Sequence, residues 1–186
     1  MSEIPVIKQF KDDLWPYEGY DHVRYTARAL ARNEEGKFAF LHIVGEDFFG
    51  KRNHLETIGG GMEEGEFIDD TMVREIKEES GYEVRDMVLI GAIIDTYNLI
   101  HRITYSTFFL VDLDTTRCFE THKTEEEEIL IKEIVWLDPL EALERLERED
   151  GSRCDRIVQR RDAFALRYYL ENATDLLDKK EEKEKD

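Results

Sequence analysis

Glu75, Glu78 and Glu79 stand at i, i+3 and i+4 of a segment whose other residues suit a helix. At about 100° per residue they share an arc of roughly 100°. Carboxylates so placed are surface neighbours, and each uncompensated pair costs about 0.2–0.5 kcal/mol. Such a face is either a solvated acidic surface or the seat of a cation. The helical wheel favours the cation. Ile68, Met72, Val73 and Ile76 make an apolar stripe, and Glu79 projects between Ile68 and Met72, while Glu66, Asp70 and Lys77 lie on the solvent side. A carboxylate bordering a core must be paired or must bind a metal. Hard divalent cations take oxygen ligands, and Mg²⁺ is held by one or two carboxylates plus substrate phosphates. The residues therefore point to metal-dependent chemistry on a phosphate compound. Arg74, one turn before Glu78, is placed to orient it; Arg before Glu is the weaker order for the helix dipole, so its value is positional.

Elements that must hold this helix can be read around it. Residues 1–20 form a lead-in broken by Pro5 and Pro16. His22–Arg32 and Lys37–Val44 are rich in strand formers and flank the turn Asn33–Gly36, so they read as a hairpin. Phe48–His54 reads as a loop carrying Lys51, Arg52 and His54, and Leu55–Ile58 as a short strand feeding the run Gly59, Gly60, Gly61. Phe67–Ser80 is the helix, ended by Gly81. Tyr82–Tyr97 holds one bent strand or two short ones, and Arg102–Leu113 and Ile131–Leu137 are further strands. Pro139 opens a helix capped by Asp138, and Asp155–Leu177 is helical. Residues 1–177 are thus expected to be a single domain, with a charged, flexible tail at 178–186. Strands around one internal helix, with helices at the C-terminal end, make an α+β protein or α/β/α layers.

The segment Gly60–Tyr82 resembles the signature of the Nudix hydrolases: Gly, five residues, Glu, seven residues, Arg-Glu, an aliphatic, any residue, Glu-Glu, any residue, Gly, an aliphatic. Gly60, Glu66, Arg74, Glu75, Ile76, Glu78, Glu79 and Gly81 match it, and Tyr82 replaces the final aliphatic. The resemblance implies the Nudix fold, a mixed β-sheet sandwiched between helices. It implies a Mg²⁺- or Mn²⁺-dependent hydrolase cleaving a pyrophosphate linkage in a nucleoside diphosphate joined to another moiety. Nucleotide sugars and ADP-ribose-like compounds, nucleoside triphosphates and dinucleoside polyphosphates all stay open. Glu75, Glu78 and Glu79 match the metal ligands, with the Gly59 carbonyl as a further donor. Arg74 matches the residue that orients the glutamates, and Glu66 a more variable position. Arg74, Glu75 and Glu79 are the catalytic candidates. The general base is either Glu75 or a member of the acidic segment with His122 and Glu125–Glu128, whose plainer reading is a solvated charge run. Phe48, Phe49 or Tyr97 could stack a base and Arg52 could meet a phosphate; for Tyr97 a strand-end aromatic packed on the sheet is the simpler reading.

Composition fits this reading and excludes others. The chain has 186 residues, 41% of them hydrophobic, enough for one real core. A net charge of −18 argues against bulk nucleic acid as a partner, since a backbone binder wants a basic face. Cys118 and Cys154 are isolated, with no metal-ligand spacing, and no run approaches membrane length. The expectation is a cytoplasmic protein with a small nucleotide substrate and no membrane partner, and a homodimer stays open. The alternatives are a Nudix-fold module that senses a nucleotide without turning it over, and a structural acidic domain with incidental metal binding.

Overall fold

The computed structural model describes residues 3–148 and 151–183. Its strands are β1 (Val6–Phe10), β2 (His22–Arg32), β3 (Phe38–Asp47), β4 (Gly50–Glu56), β5 (Glu83–Tyr97), β6 (Arg102–Asp114) and β7 (Ile131–Leu137). Its helices are α1 (Ile68–Ser80), α2 (Glu125–Leu130), α3 (Pro139–Glu147) and α4 (Arg153–Lys183), with a short 3₁₀ turn at Asn98–Ile100. The strands join one mixed sheet in the order β1-β5-β6-β2-β3-β4, and β7 pairs with β3. Helix α4 carries on into the charged segment at 178–186, of which residues 184–186 lie outside those described.

Strand alternation gives the sheet two apolar faces. Ala27, Ala29, Ala31, Phe109 and Val111 pack with Met72 and Ile76 of α1. Leu30, Phe108 and Leu110 point the other way, toward Leu146 of α3 and Ala165, Leu166 and Tyr169 of α4. The sheet is therefore sandwiched between helices, the arrangement expected from the signature. Small alanines on the first face let α1 approach the sheet closely.

One irregularity positions the site. β2 runs parallel to β6 from His22↔Arg102 to Arg32↔Asp112, yet pairs with β3 only at Ala31↔Ala39 and Arg32↔Phe38. Beyond that the strands separate, because β3 turns to pair with β4 and β7. The free edge of β2 is filled by the glycine run: Ala29 N–H donates to the Ile58 carbonyl (2.9 Å), Ala27 N–H to Gly60 (3.0 Å) and Met62 N–H to Tyr25 (2.9 Å). Buried backbone groups thus find partners, and the glycines are clamped between β2 and the face of α1 that carries Arg74, Glu75 and Glu79.

Several expectations need correction. The lead-in contains β1, which pairs in parallel with β5; a short edge strand of mixed pattern leaves little periodic signal. Residues 50–54 are not loop but part of β4, which pairs antiparallel with β3; Arg52 and His54 meet Asp155 of α4, while Lys51 stays exposed. Val73, assigned to the apolar stripe, is 46% exposed, while Glu75 is buried at 6%. Of the two readings of 82–97 the single bent strand holds: β5 is continuous, with irregular register near Val84 and Leu89. Asp138 stands at the N-cap of α3, but its side chain makes no capping bond.

Candidate active site

The glycine run forces the backbone against its neighbours. Gly59 has φ 140°, and a Cβ there would lie 2.1 Å from the Ala27 carbonyl oxygen. A Cβ on Gly60 would lie 2.5 Å from Glu75 Oε1, so only glycine lets that carboxylate reach the turn. Gly59 N–H donates to Glu79 Oε2 at 2.8 Å. Helix α1 begins just beyond and ends at Gly81, whose φ of 73° allows its N–H to close on the Lys77 carbonyl.

Arg74 is the hub of the helix face. Its Nε donates to Glu66 Oε1 (2.7 Å) and its Nη2 to Glu66 Oε2 (3.0 Å), a two-pronged pair. Nη1 donates to Glu75 Oε1 (2.7 Å) and Glu78 Oε2 (3.0 Å), and Nη2 also to the Gly61 carbonyl (2.9 Å). One guanidinium thus binds the glycine run and orients three carboxylates. Its bonds hold Glu66 down to about 2. Burial raises Glu75 above the usual carboxylate range, against the pull of Arg74. Burial raises Glu79 well above it, and the single bond from Gly59 does not offset this.

Glu79 meets the Gly59 N–H, Glu75 lies against Gly60 and Glu78 shares the Arg74 guanidinium with Glu75, so the three carboxylates offer only oxygen donors beside the glycine run. Among the described residues no three His, Cys, Asp or Glu side chains are gathered tightly enough to hold a metal ion by themselves. Mg²⁺ needs no such cage, since waters and substrate phosphates complete its shell. Two buried carboxylates with raised pKa beside a cradle that only glycine permits fit a hard divalent cation.

On the α4 side, next to this face, lies a cleft of about 210 Å³. Asp95, Tyr97, Arg102, Thr104, Arg24 and Arg28 come from the ends of β5, β6 and β2, with Arg161 of α4 and Phe49 above them. Arg28 Nη1 donates to Glu56 Oε1 (2.7 Å), and Arg161 Nε to Asp162 Oδ1 (2.7 Å). Asp162 Oδ2 also accepts from the Thr57 N–H (2.8 Å) and hydroxyl (3.0 Å), tying α4 to the entry of the glycine run.

A family model, the NUDIX domain, matches residues 22–157. The chain belongs to the Nudix family. Solved structures agree in fold. A NUDIX hydrolase from Nitrosomonas europaea is similar with a TM-score of 0.58 at 18% identity, over 81% of this chain and 90% of that one. A MutT protein from Methanosarcina mazei Go1 has a TM-score of 0.53 at 19% identity, over 69% of this chain and 85% of that one. No curated protein sequence matches the chain significantly. Nudix proteins are generally pyrophosphohydrolases that use divalent metals such as Mg²⁺ and act on small nucleotides. No described helix is long and apolar enough to cross a membrane.

Within this Nudix domain Arg74, Glu75 and Glu78 come together through one guanidinium, and Glu79 joins the glycine run by a separate bond. The segment after β6 folds over the end of α1, where the His122 N–H donates to the Glu78 carbonyl (3.0 Å). Glu125–Glu128 form the first turn of α2, where negative charge suits the helix dipole. Glu127 and Thr124 cap each other reciprocally, so Glu127 has a structural partner. Arg52, offered as a phosphate contact, lines the same cleft as Arg28 and Arg161, half-buried, and donates to Asp155 (2.6 Å) and Asp47 (2.7 Å). Tyr97 packs at the end of β5 against Phe49 and Trp15. Arg24, Arg28, Asp95, Arg102 and Arg161 went unread in the sequence. They come from four elements, and only strand parity on β2, β5 and β6 could have grouped some of them.

Proposed function

We propose that this chain is a divalent-metal-dependent pyrophosphohydrolase acting on a nucleoside diphosphate joined to a further moiety. Glu75, Glu78 and Glu79 would hold Mg²⁺ or Mn²⁺, with the Gly59 carbonyl beside them. The observation that carries the reading is the Arg74 guanidinium, which fastens Glu75 and Glu78 to the glycine run that anchors Glu79. When bound, a divalent cation supplies charge neutralisation at phosphate oxygens and acidifies water.

The chain's own groups do the rest. Arg74 fixes the carboxylates before substrate arrives, so little reorganisation remains for the reaction. Glu75, lying against Gly60 at the mouth of the arginine-lined cleft, takes the general-base role and holds the proton lost by the attacking water. Within the acidic segment Glu127 is engaged in its helix cap, which sets that one residue aside as a base. Release of phosphate or nucleoside monophosphate from a nucleotide panel, with Mg²⁺, with Mn²⁺ and with chelator, tests the reading. Metal-dependent release from at least one member supports it; binding without release under every condition would make the chain a sensing module instead.

A further inference from the structure

The cleft beside the glutamates holds two cations, Arg24 and Arg102, that have no direct carboxylate partner among the described residues, although Glu75 and Glu56 act on Arg24 from a distance. Arg28 and Arg161 have Glu56 and Asp162, but among the described residues neither Arg24 nor Arg102 forms an ion pair with a carboxylate. Arg102 Nε donates to Thr104 Oγ1 (3.1 Å), and its guanidinium lies over the Tyr97 ring at 5.6 Å. Burial and the neighbouring arginines lower both, Arg102 to about 10. A group with these surroundings gains by meeting an anion.

Other unpaired polar atoms share the cleft. Asp95 is 4% exposed and its Oδ1 has no hydrogen-bond partner, and Arg28 Nε is likewise buried and unpartnered. Buried polar atoms left open inside a concavity mark a place for a ligand. Strand register sets them in rows: His22↔Arg102 and Arg24↔Thr104 across β2 and β6, Asp95↔Thr104 and Tyr97↔Arg102 across β5 and β6.

The cleft is continuous with the glutamate face. A Cβ on Gly61 would lie 2.9 Å from Arg24 Nη2, and the next glycine, Gly60, touches Glu75. A ligand extending from Glu75 along the glycine run therefore meets Arg24 and then Arg102. We infer that Arg24 and Arg102 bind a phosphate beyond the scissile linkage, so that the substrate carries a chain of at least three phosphates, with Asp95 accepting a hydroxyl or amino hydrogen on the group attached to it. This rests on the pyrophosphohydrolase reading above and narrows it. A neutral sugar at this place would leave both guanidiniums without a counter-charge.

The test compares kcat/KM, with Mg²⁺, on adenosine triphosphate, diadenosine tetraphosphate and ADP-glucose for the parent, Arg24→Gln, Arg102→Gln and Arg102→Lys. The expected parent favours at least one polyphosphate over ADP-glucose. Each Gln variant should lower that ratio at least about tenfold, the scale of a lost charge-assisted bond, with Lys recovering part of it. The two polyphosphates separate a free terminal phosphate from one esterified to a second nucleoside. A parent that prefers ADP-glucose, or variants that leave the ratio unchanged, overturns the inference while the hydrolase reading stands. If no substrate is cleaved, that reading fails, and the inference is decided by calorimetry with the imido analogue of adenosine triphosphate against adenosine monophosphate. About tenfold selective weakening in Arg102→Gln then supports it, and equal weakening of both ligands overturns it. Thermal melts of each variant confirm folding, and Arg24→Gln or Arg102→Lys carries the comparison if Arg102→Gln unfolds.

Discussion

At α1, Glu75 and Glu78 of the helix and Glu66 from the turn before it crowd around the single guanidinium of Arg74, while Glu79 is buried with one backbone donor. Around α4, Glu56 meets Arg28 and Arg161, Asp155 meets Arg52 and His54, all far away in sequence, and Asp162 meets its neighbour Arg161. The first region is short of positive charge, whereas these three carboxylates of the second are met by cations. Burial acts on both and the outcome differs. Glu79 is pushed well up, whereas burial of Glu56 is outweighed by Arg28, His54 and Arg161, which hold it well below the usual range. A region left electrostatically incomplete is built to receive something; one that is complete is built to hold the fold.

Asp162→Ala is the largest expected break in this contrast. It strips Arg161 of its nearest carboxylate and leaves the Thr57 N–H buried without an acceptor. Loss of about 3–5 kcal/mol of stability should follow, read by urea denaturation. A loss no larger than that of an exposed-site variant would mean that the network under α4 is not what holds the glycine run to the helix.

Changes on α1 should instead cost activity. Glu78→Gln and Glu79→Gln are expected to lower kcat at least about a hundredfold while leaving the far-ultraviolet spectrum intact. A neutral amide relieves repulsion there and suits the buried site of Glu79. Unfolding of both variants ahead of any loss of turnover would move Glu79 to the structural group.

Addition of Mg²⁺ or Mn²⁺ should raise the thermal midpoint, by about 2–3 kcal/mol of added stability at a hundredfold excess over Kd. NaCl at equal ionic strength screens repulsion without bridging carboxylates. Full reproduction of the shift by NaCl would make the α1 face a solvated acidic surface, and the two regions would differ in degree only.

A smaller effect sharpens the comparison within the α4 side, where Asp95 is the carboxylate left unmet. Burial raises it from 3.8 to about 6. The folded state therefore holds a proton that the unfolded chain releases at lower pH. The stability this contributes is present below about pH 4 and is lost as pH rises through about 6, a change on the order of 3 kcal/mol. Asp95→Asn should flatten the denaturation profile in that window. An unchanged slope would mean that Asp95 is ionised and paired across it.

The sequence by itself determined the α1 face. Arg74, Glu75, Glu78 and Glu79 lie within two turns of one helix, so their relative placement follows from 3.6 residues per turn and needs no tertiary information. The signature likewise announced the glycine turn, the sandwiched mixed sheet and the family. Strands of strong alternation, β2 and β6 above all, were legible for the same reason: the period is local. Tertiary structure alone decided how β2 parts from β3, which opens the edge that the glycine run fills. It also decided that Arg52 and His54, residues of an apparent basic loop, answer to Asp155 about a hundred positions away. The cleft is of that kind too. Arg24, Asp95, Arg102 and Arg161 meet only after parallel pairing of β2 with β6, antiparallel pairing of β6 with β5 and docking of α4. Charge contacts of such long sequence separation leave no periodic trace, because what brings them together is strand register and the burial of apolar faces rather than spacing along the chain.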